Sequence, residues 1–152
     1  MKKVLVAGTW DIIHPGHIAL LSKAKEIGQV IVVVARDSTV KRIKGREPII
    51  PEDQRLMVVR SLKQVDEAVL GYECEDLIKI VLNIKPDIIL LGPNQPISEY
   101  EIRKRLDQEG FRHVQIIRLH ELYEKYKFCS TSAIIEEILR RYCRNHNKFK
   151  EG

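Results

Sequence analysis

The sequence is poor in cysteine, and its three cysteines show no pairing pattern. Cys74, Cys129 and Cys143 are odd in number, and none lies in a Cys-x-x-Cys spacing. This usage is typical of a reducing compartment and excludes a disulfide framework or a zinc ribbon. We therefore expect a cytoplasmic protein in which Cys74 and Cys143 are ordinary thiols.

Long apolar runs are also absent. The longest, Val30–Ala35 and Ile88–Leu91, are far shorter than the roughly 18 residues of a membrane span. The early apolar stretch Val4–Ala7 is shorter than the core of about seven residues that a signal peptide needs. We expect neither membrane association nor secretion.

Positive charge is in excess but unevenly distributed. Lys and Arg number 26 against 21 Asp and Glu, a net charge of +5, of which +4 falls on residues 140–152. We predict one domain over residues 1–146 and a disordered basic tail over residues 147–152. A second excess of +3 lies within residues 36–47. That concentration suits a phosphate site and not a nucleic-acid duplex, so no nucleic-acid partner is expected.

Short apolar runs recur along the chain and predict buried strands. They are near-continuous and not alternating, which is the pattern of a parallel sheet covered on both faces. Segments with helical spacing separate them, and the last runs from Thr131 to about Asn145 with Ser130 as its N-cap. We predict an α/β, Rossmann-like fold: a five-stranded parallel sheet with helices on both faces. The predicted strands are Val4–Ala7, Val30–Ala35, Glu67–Leu70, Ile88–Leu91 and Val114–Ile117.

The residues after the first predicted strand carry the densest chemical signal. From Gly8 to His17 they read Gly-Thr-Trp-Asp-Ile-Ile-His-Pro-Gly-His, directly before the first predicted helix. Ligands of an open parallel sheet bind at the carboxyl ends of its strands, and the following helix presents free amides to an anion. Pro15 suits the first turn of a helix, and Gly16 permits a backbone segment or a ligand to approach closely where a side chain would collide. His14 and His17 can point to the same anion, so we predict a phosphate site.

Other interpretations of this stretch have less support. No GxxxxGK[ST] loop occurs, and Gly8 and Gly16 are too far apart for a dinucleotide fingerprint. Two histidines can ligate a metal, but no third ligand stands at a useful spacing, and we predict no protein-bound metal. A turn with two polar side chains is the remaining alternative.

On these residues the sequence resembles the nucleotidyltransferase superfamily that includes glycerol-phosphate cytidylyltransferases, phosphopantetheine adenylyltransferase and archaeal FAD synthases. Gly8–Asp11 is similar to its GT[FW]D element, and His14–His17 to its HxGH element. Cys129–Ser132 resembles the late RTxGISTT element, with Lys125 in place of the expected arginine. The resemblance implies a fold of the nucleotidylyltransferase type.

Further stretches, Ala35–Asp37, Lys44–Glu52 and Leu91–Gln95, resemble the archaeal FAD synthase branch. The resemblance implies transfer of AMP from ATP to FMN, giving FAD and pyrophosphate. Mg²⁺ would arrive with ATP, with Asp11 as the nearest carboxylate, and we expect a homodimer. The alternative is a cytidylyltransferase or another adenylyltransferase that acts on a phospho-alcohol or phospho-sugar. A rival of another class is a non-catalytic module that binds ATP or AMP.

The resemblance and the charge that develops in nucleotidyl transfer together suggest roles for individual residues. His14, His17 and Lys44 are the predicted catalytic residues, all contacting phosphates. Arg55 is expected to hold the pyrophosphate end, and Asn94 the base or ribose. The predicted nucleotide-binding residues are Thr9, Trp10, His14, Pro15, Gly16, His17, Arg55, Asn94, Tyr126, Ser130 and Thr131.

Several of these residues also fit a structural role. Lys44 fits a solvated loop charge, Asn94 a turn, and Ser130–Thr131 a helix cap. Trp10 either stacks on the nucleotide or closes the sheet edge. Cys129 is expected to pack, because the reaction needs no thiolate.

Overall fold

The computed structural model describes residues 1–73 and 77–143, and the statements below refer to these. Five strands and six helices follow one another along the chain. The strands are β1 Lys3–Gly8, β2 Gln29–Val34, β3 Glu67–Leu70, β4 Ile88–Leu91 and β5 Gln115–Arg118. The helices are α1 Pro15–Ile27, α2 Asp37–Lys44, α3 Glu52–Arg60, α4 Leu77–Ile84, α5 Glu99–Gln108 and α6 Thr131–Tyr142.

All five strands form one parallel sheet in the order β3-β2-β1-β4-β5. The predicted Rossmann-like fold is confirmed. Chain order reverses between β1 and β4, because β1 continues to β2 on one side whereas β4 continues to β5 on the other. Such a reversal opens a crevice at the carboxyl ends of the two central strands.

Both faces of the sheet are buried, which explains the near-continuous apolar strands. Val4 and Val6 of β1 pack in one core cluster with Leu21 of α1, and Leu5 packs in the other with Leu106 of α5. Successive strand residues thus point into different helix layers. A polar residue on either face of a central strand would therefore be buried without a partner.

Helix α1 has clear signals at both ends. Pro15 occupies its first turn, and its last turn closes with the Gly28 amide donating to the Ala24 carbonyl at 3.1 Å. A Cβ atom at Gly28 would lie 2.1 Å from the Lys2 carbonyl oxygen. Only glycine lets the start of β2 pass so close to the start of β1.

The structure differs from the sequence-based expectations in places. Helix α2 was not predicted, and the expected loop from Lys44 to Asp53 is shorter, because Lys44 ends α2 and Asp53 lies in α3. Strand β5 begins at Gln115, and the buried Val114 precedes it. Cys74 and the predicted tail over residues 147–152 lie outside the described residues. Within the described part of the chain, no helix is both long and apolar enough to cross a bilayer.

Candidate functional site

An open cleft of about 2030 Å³ lies at the carboxyl ends of β1 and β4. The helices after these strands, α1 and α5, pack on opposite faces of the sheet, so the loops leading to them diverge and leave the crevice between them. Every predicted site residue except Arg55 lines this cleft: Thr9, Trp10, His14, Pro15, Gly16, His17, Lys44, Asn94, Tyr126, Ser130 and Thr131.

The two histidines cap helix α1 with their own imidazole rings. Nδ1 of His14 accepts hydrogen bonds from the amides of Gly16 at 3.1 Å and His17 at 3.4 Å. Nδ1 of His17 accepts in turn from the His14 amide at 3.3 Å. A ring nitrogen that accepts carries no proton, so in each neutral ring the proton lies on Nε2. The capping geometry therefore assigns both rings as Nε2–H donors.

The surroundings of the two rings keep them uncharged at neutral pH. Burial lowers the pKa of His14. Burial, followed by the charges of His14 and Lys44, lowers the pKa of His17 to about 3. The rings stack with centroids 3.7 Å apart and planes 24° apart, so two imidazolium charges would repel strongly. The pair offers hydrogen-bond donors without positive charge.

The capping also corrects the expectation that free amides of α1 face the anion. The amides of Gly16 and His17 already donate to His14, so a ligand meets the imidazoles instead. Helix α6 differs, because the side-chain oxygen of Ser130 accepts from a single amide, that of Ala133 at 3.1 Å. Among the described residues, the amides of Thr131 and Ser132 have no hydrogen-bond partner. The free amides at the cleft therefore belong to α6.

The first turns of α1 and α6 lie against each other. A Cβ atom on Gly16 would stand 2.7 Å from the carbonyl oxygen of Cys129, directly before α6. The Thr131 hydroxyl donates to the Ile12 carbonyl at 3.4 Å and ties the same two segments together. Two positive helix ends thus converge at one wall of the cleft, and neither first turn contains an acidic residue.

Positive side-chain charge comes from the end of α2 and the residues just beyond it. Lys44, the last residue of α2, and Arg46, just beyond it, both line the cleft. Lys44 lies close enough to His17 for its charge to lower the pKa of that ring. The cleft therefore combines positive side-chain charge with two positive helix ends.

Asp11 anchors the segment that follows α2. Its carboxylate accepts from the amides of Ile49 at 2.9 Å and Ile50 at 2.8 Å. Each oxygen thus accepts one backbone hydrogen bond, and Asp11 holds the basic segment near β1. Among the described residues, no group of three or more His, Cys, Asp or Glu side chains is arranged to hold a metal ion.

The structure does not bring Arg55 to the cleft. Its side chain is fully buried, and its guanidinium donates to the Ile50 carbonyl at 2.8 Å, the Thr9 carbonyl at 2.5 Å and the Asp37 carboxylate at 2.7 Å. All three partners belong to the protein. The expected pyrophosphate contact is therefore replaced by a positioning role, in which Arg55 ties the end of β1 to α2 and the segment before α3.

Trp10 takes the structural alternative that the sequence left open. Its side chain is 3% exposed, and its indole Nε1 donates to the Val33 carbonyl at 3.2 Å. A Cβ atom on Gly8 would come within 3.1 Å of the indole, so the glycine makes room for it. The indole also touches the His17 ring, with centroids 5.1 Å apart. Trp10 thus packs at the carboxyl end of the sheet and contacts the ring of His17.

The segment after β4 carries Asn94 into the cleft. The side chain of Gln95 is engaged within the protein, because it accepts from the Gly92 amide at 3.1 Å and donates to the Ala7 carbonyl at 2.8 Å. Asn94 is exposed and lines the cleft. The structure thus separates neighbouring polar residues into an anchor, Gln95, and a presented residue, Asn94.

The segment between β5 and α6 is exposed and rich in tyrosine. Tyr126 is 55% exposed, and the ammonium group of Lys125 lies 5.8 Å from the centre of its ring. The lysine that replaces the expected family arginine thus contacts a tyrosine face. The Cys129 thiol donates to the Tyr126 carbonyl at 3.1 Å, so its hydrogen bond is made within the protein.

Sequence analysis missed Arg118, whose side chain lines the cleft from the end of β5. It also missed α2, which brings Lys44 to the site. Two signals were available. An arginine at the carboxyl end of a predicted strand belongs to the ligand edge of a parallel sheet. Gly45, with φ 74°, ends α2 in the left-handed conformation that glycine commonly supplies.

Comparison with known proteins yields one family and several relatives. A family model described as cytidylyltransferase-like matches residues 5–137. A FAD synthase from Pyrococcus horikoshii is 42% identical over 142 residues, which cover 93% of this chain and 95% of the relative.

Solved structures show the same fold. A lipopolysaccharide core biosynthesis protein from Thermoplasma volcanium superposes with a TM-score of 0.76 at 42% identity, covering 82% of this chain and 99% of the other. A protein of unknown function from Archaeoglobus fulgidus gives a TM-score of 0.62 at 21% identity, covering 77% and 88%. The latter supports the fold alone.

The low pKa of His17 predicts that stability falls as the pH is lowered from 7 to 5. In this range the unfolded imidazole takes up a proton at its ordinary pKa of 6.5, whereas folded His17 stays neutral until about pH 3. Protons bound only by the unfolded chain favour unfolding. We expect the free energy of unfolding to drop by about 2 kcal/mol from this residue, measured by urea denaturation.

The matched variant is His17→Asn. The Asn side-chain oxygen can accept from the His14 amide as Nδ1 does, but it does not titrate. Between pH 7 and 5, the free energy of unfolding of the variant should therefore fall by about 2 kcal/mol less than that of the wild type. Equal slopes in both proteins would contradict the assignment of a neutral, buried His17.

Proposed function

Because the chain belongs to the cytidylyltransferase-like family, we propose that this nucleotidyltransferase transfers AMP from ATP to FMN and releases FAD and pyrophosphate. The 42% identity to a FAD synthase over nearly the whole of both chains supports this activity. The observation that carries the reaction class is the stacked pair of neutral imidazoles beside two converging helix ends.

The reaction needs positioned donors and not a side-chain nucleophile. A phosphate oxygen of FMN attacks the α-phosphorus of ATP, a new P–O bond forms, and the bond to pyrophosphate breaks. Negative charge builds on the equatorial and leaving oxygens, so catalysis depends on orientation and on donors aimed at those atoms. We assign this work to His14, His17 and Lys44.

The two kinds of group have different tasks in this proposal. His14 and His17 supply directional Nε2–H bonds, because their protons are fixed on Nε2 by the helix cap. Lys44 supplies net positive charge from the end of α2. The unpartnered amides of Thr131 and Ser132 are suited to a phosphate oxygen at the start of α6. Pro15 and Gly16 shape the turn that brings these groups together.

The flavin ring of FMN requires a broad apolar surface. Ile43, Ile49 and Tyr72 line the cleft and are 53%, 60% and 40% exposed in the chain without ligand. Large apolar side chains left exposed in a cleft are typical of a ligand-binding wall. We propose that this wall contacts the isoalloxazine ring.

The nucleotide base is assigned to the segment that presents Asn94. Thr9 and Tyr126 line the same cleft and complete the proposed nucleotide-binding set. We propose that magnesium enters as the counterion of the ATP triphosphate. Asp11, the carboxylate nearest the turn, is held in place by two backbone amides and would supply the nearest protein oxygen to such an ion. When bound, the metal neutralises charge on the phosphate oxygens.

We further propose that the enzyme is a cytoplasmic homodimer. Cysteines without pairing motifs fit a reducing compartment. Helix α6 leaves Ile138 and Leu139 about half exposed, at 47% and 51%, and exposed apolar residues in succession are typical of an interface. Light scattering coupled to gel filtration should give twice the chain mass of 17.7 kDa. A monomer at micromolar concentration would remove the homodimer from the proposal.

A panel of nucleotides and acceptors tests the function directly. ATP, CTP and GTP are each incubated with FMN, with glycerol phosphate and with a sugar phosphate, and pyrophosphate and product mass are measured. The sugar phosphate is included because the relative from Thermoplasma volcanium is named for lipopolysaccharide core biosynthesis. We expect FAD from ATP and FMN. Release of pyrophosphate with CTP alone would overturn the assignment of adenine as the base. Binding of ATP without pyrophosphate release in the presence of any acceptor would indicate a non-catalytic binding module.

Substitution of single donors tests the assigned roles. His17→Asn keeps the helix cap but removes Nε2–H, and it should lower kcat by roughly 100-fold or more, as for other lost transition-state donors. Lys44→Met should lower kcat/KM by a similar factor. The matched control is Lys41→Met, because Lys41 is exposed on the same helix but does not line the cleft. Full activity of His17→Asn would refute the catalytic assignment.

A further inference from the structure

Arg118 holds the segment after β4 from one side. It is the last residue of β5, and its guanidinium donates to the carbonyls of Gly92 at 3.0 Å, Gln95 at 3.1 Å and Ile97. Its Nε donates to the Glu99 carboxylate at 2.5 Å. The side chain is only 15% exposed. One largely buried cation thus binds three carbonyls of a six-residue segment, residues 92–97.

Gln95 holds the same segment from the other side. Its amide group donates to the Ala7 carbonyl of β1 and accepts from the Gly92 amide. The segment is therefore fixed between the ends of two strands that flank β4 in the sheet. Among the described residues, the amide, carbonyl and side chain of Asn94 have no hydrogen-bond partner. Asn94 is the residue that this framework presents to the cleft.

We propose that Arg118 is a positioning residue for nucleotide recognition, acting through the backbone groups of Asn94. This inference rests on the proposed function. Adenine presents an exocyclic amino donor beside a ring nitrogen acceptor, and a peptide carbonyl and amide can match that edge. Such hydrogen bonds weaken steeply with misalignment, so the segment must be held in place before the base arrives. Arg118 provides this order without touching the base.

The chain contains a matched control for an arginine that only stabilises the fold. Arg103 of α5 donates to the carbonyls of Phe111 at 2.8 Å and Val114, and to the Asp107 carboxylate at 2.9 Å. It lies near the opposite end of β5 and does not line the cleft. Arg103 and Arg118 thus have nearly the same chemistry, but only Arg118 lines the cleft.

The experiment compares Arg118→Met, Arg118→Lys and Arg103→Met by steady-state kinetics and thermal unfolding. Arg118→Met should raise KM for ATP by roughly 10- to 100-fold, change kcat and KM for FMN by less than about threefold, and reduce discrimination between ATP and GTP. Arg118→Lys should recover part of the affinity, because an ammonium group donates fewer bonds in a less rigid geometry. Arg103→Met should lower Tm without changing KM for ATP.

A second variant keeps the inference testable if Arg118→Met does not fold. Gln95→Met loosens the same segment from the β1 side and should reproduce the rise in KM for ATP. Equal KM shifts in the Arg103 and Arg118 variants, or unchanged ATP affinity in both Arg118→Met and Gln95→Met, would overturn the proposal. If the wild-type chain made no FAD, the proposed function would fail on its own. Calorimetric titration with ATP would still show whether Arg118 governs nucleotide affinity.

Discussion

The contact between Gly16 and the Cys129 carbonyl is the constraint on which the site depends. It joins the first turn of α1, the element that follows the first strand, to the residues that lead into α6. Helix ends that carry the same partial charge repel, so their convergence has a cost that the protein meets by packing. The absence of a side chain at Gly16 allows that packing. An anion bound between the two ends reverses the sign of this interaction, because both ends attract it.

In the site, the groups that donate directional hydrogen bonds are different from the groups that carry positive charge. His14 and His17 are held as neutral donors by burial and by the cap that fixes their protons on Nε2. Lys44 and Arg46 bring positive charge from another element, beyond the reach of the cap. The hydrogen-bond donors are therefore held in fixed orientations, whereas the positive charge is carried by longer and more flexible side chains. Both features suit a reaction whose barrier is set by alignment and charge.

Sequence analysis predicted most of the fold because the strands of a doubly covered sheet have a strong local signature. Val4, Val6 and Leu5 face different helix layers, so the run is apolar throughout. Helix α2 escaped prediction because it is short and polar, and only Thr39 and Val40 are buried on it. Its position is set by Arg55, which bonds to Asp37 from a different helix. No periodic pattern within α2 reports that contact.

By itself the sequence predicted the parallel sheet and the turn after β1 from local spacing, and its resemblance to a known family supplied a set of site residues of which all but Arg55 line the cleft. The tertiary structure alone decided what the polar residues do there. Arg55 is buried and bonds to the Thr9 carbonyl, and Asp11 accepts from the Ile49 amide. Trp10 contacts the ring of His17, and Arg118 donates to the Gly92 carbonyl. The reason is physical: the role of a donor depends on which acceptors the fold places beside it, and those acceptors lie on segments distant in sequence.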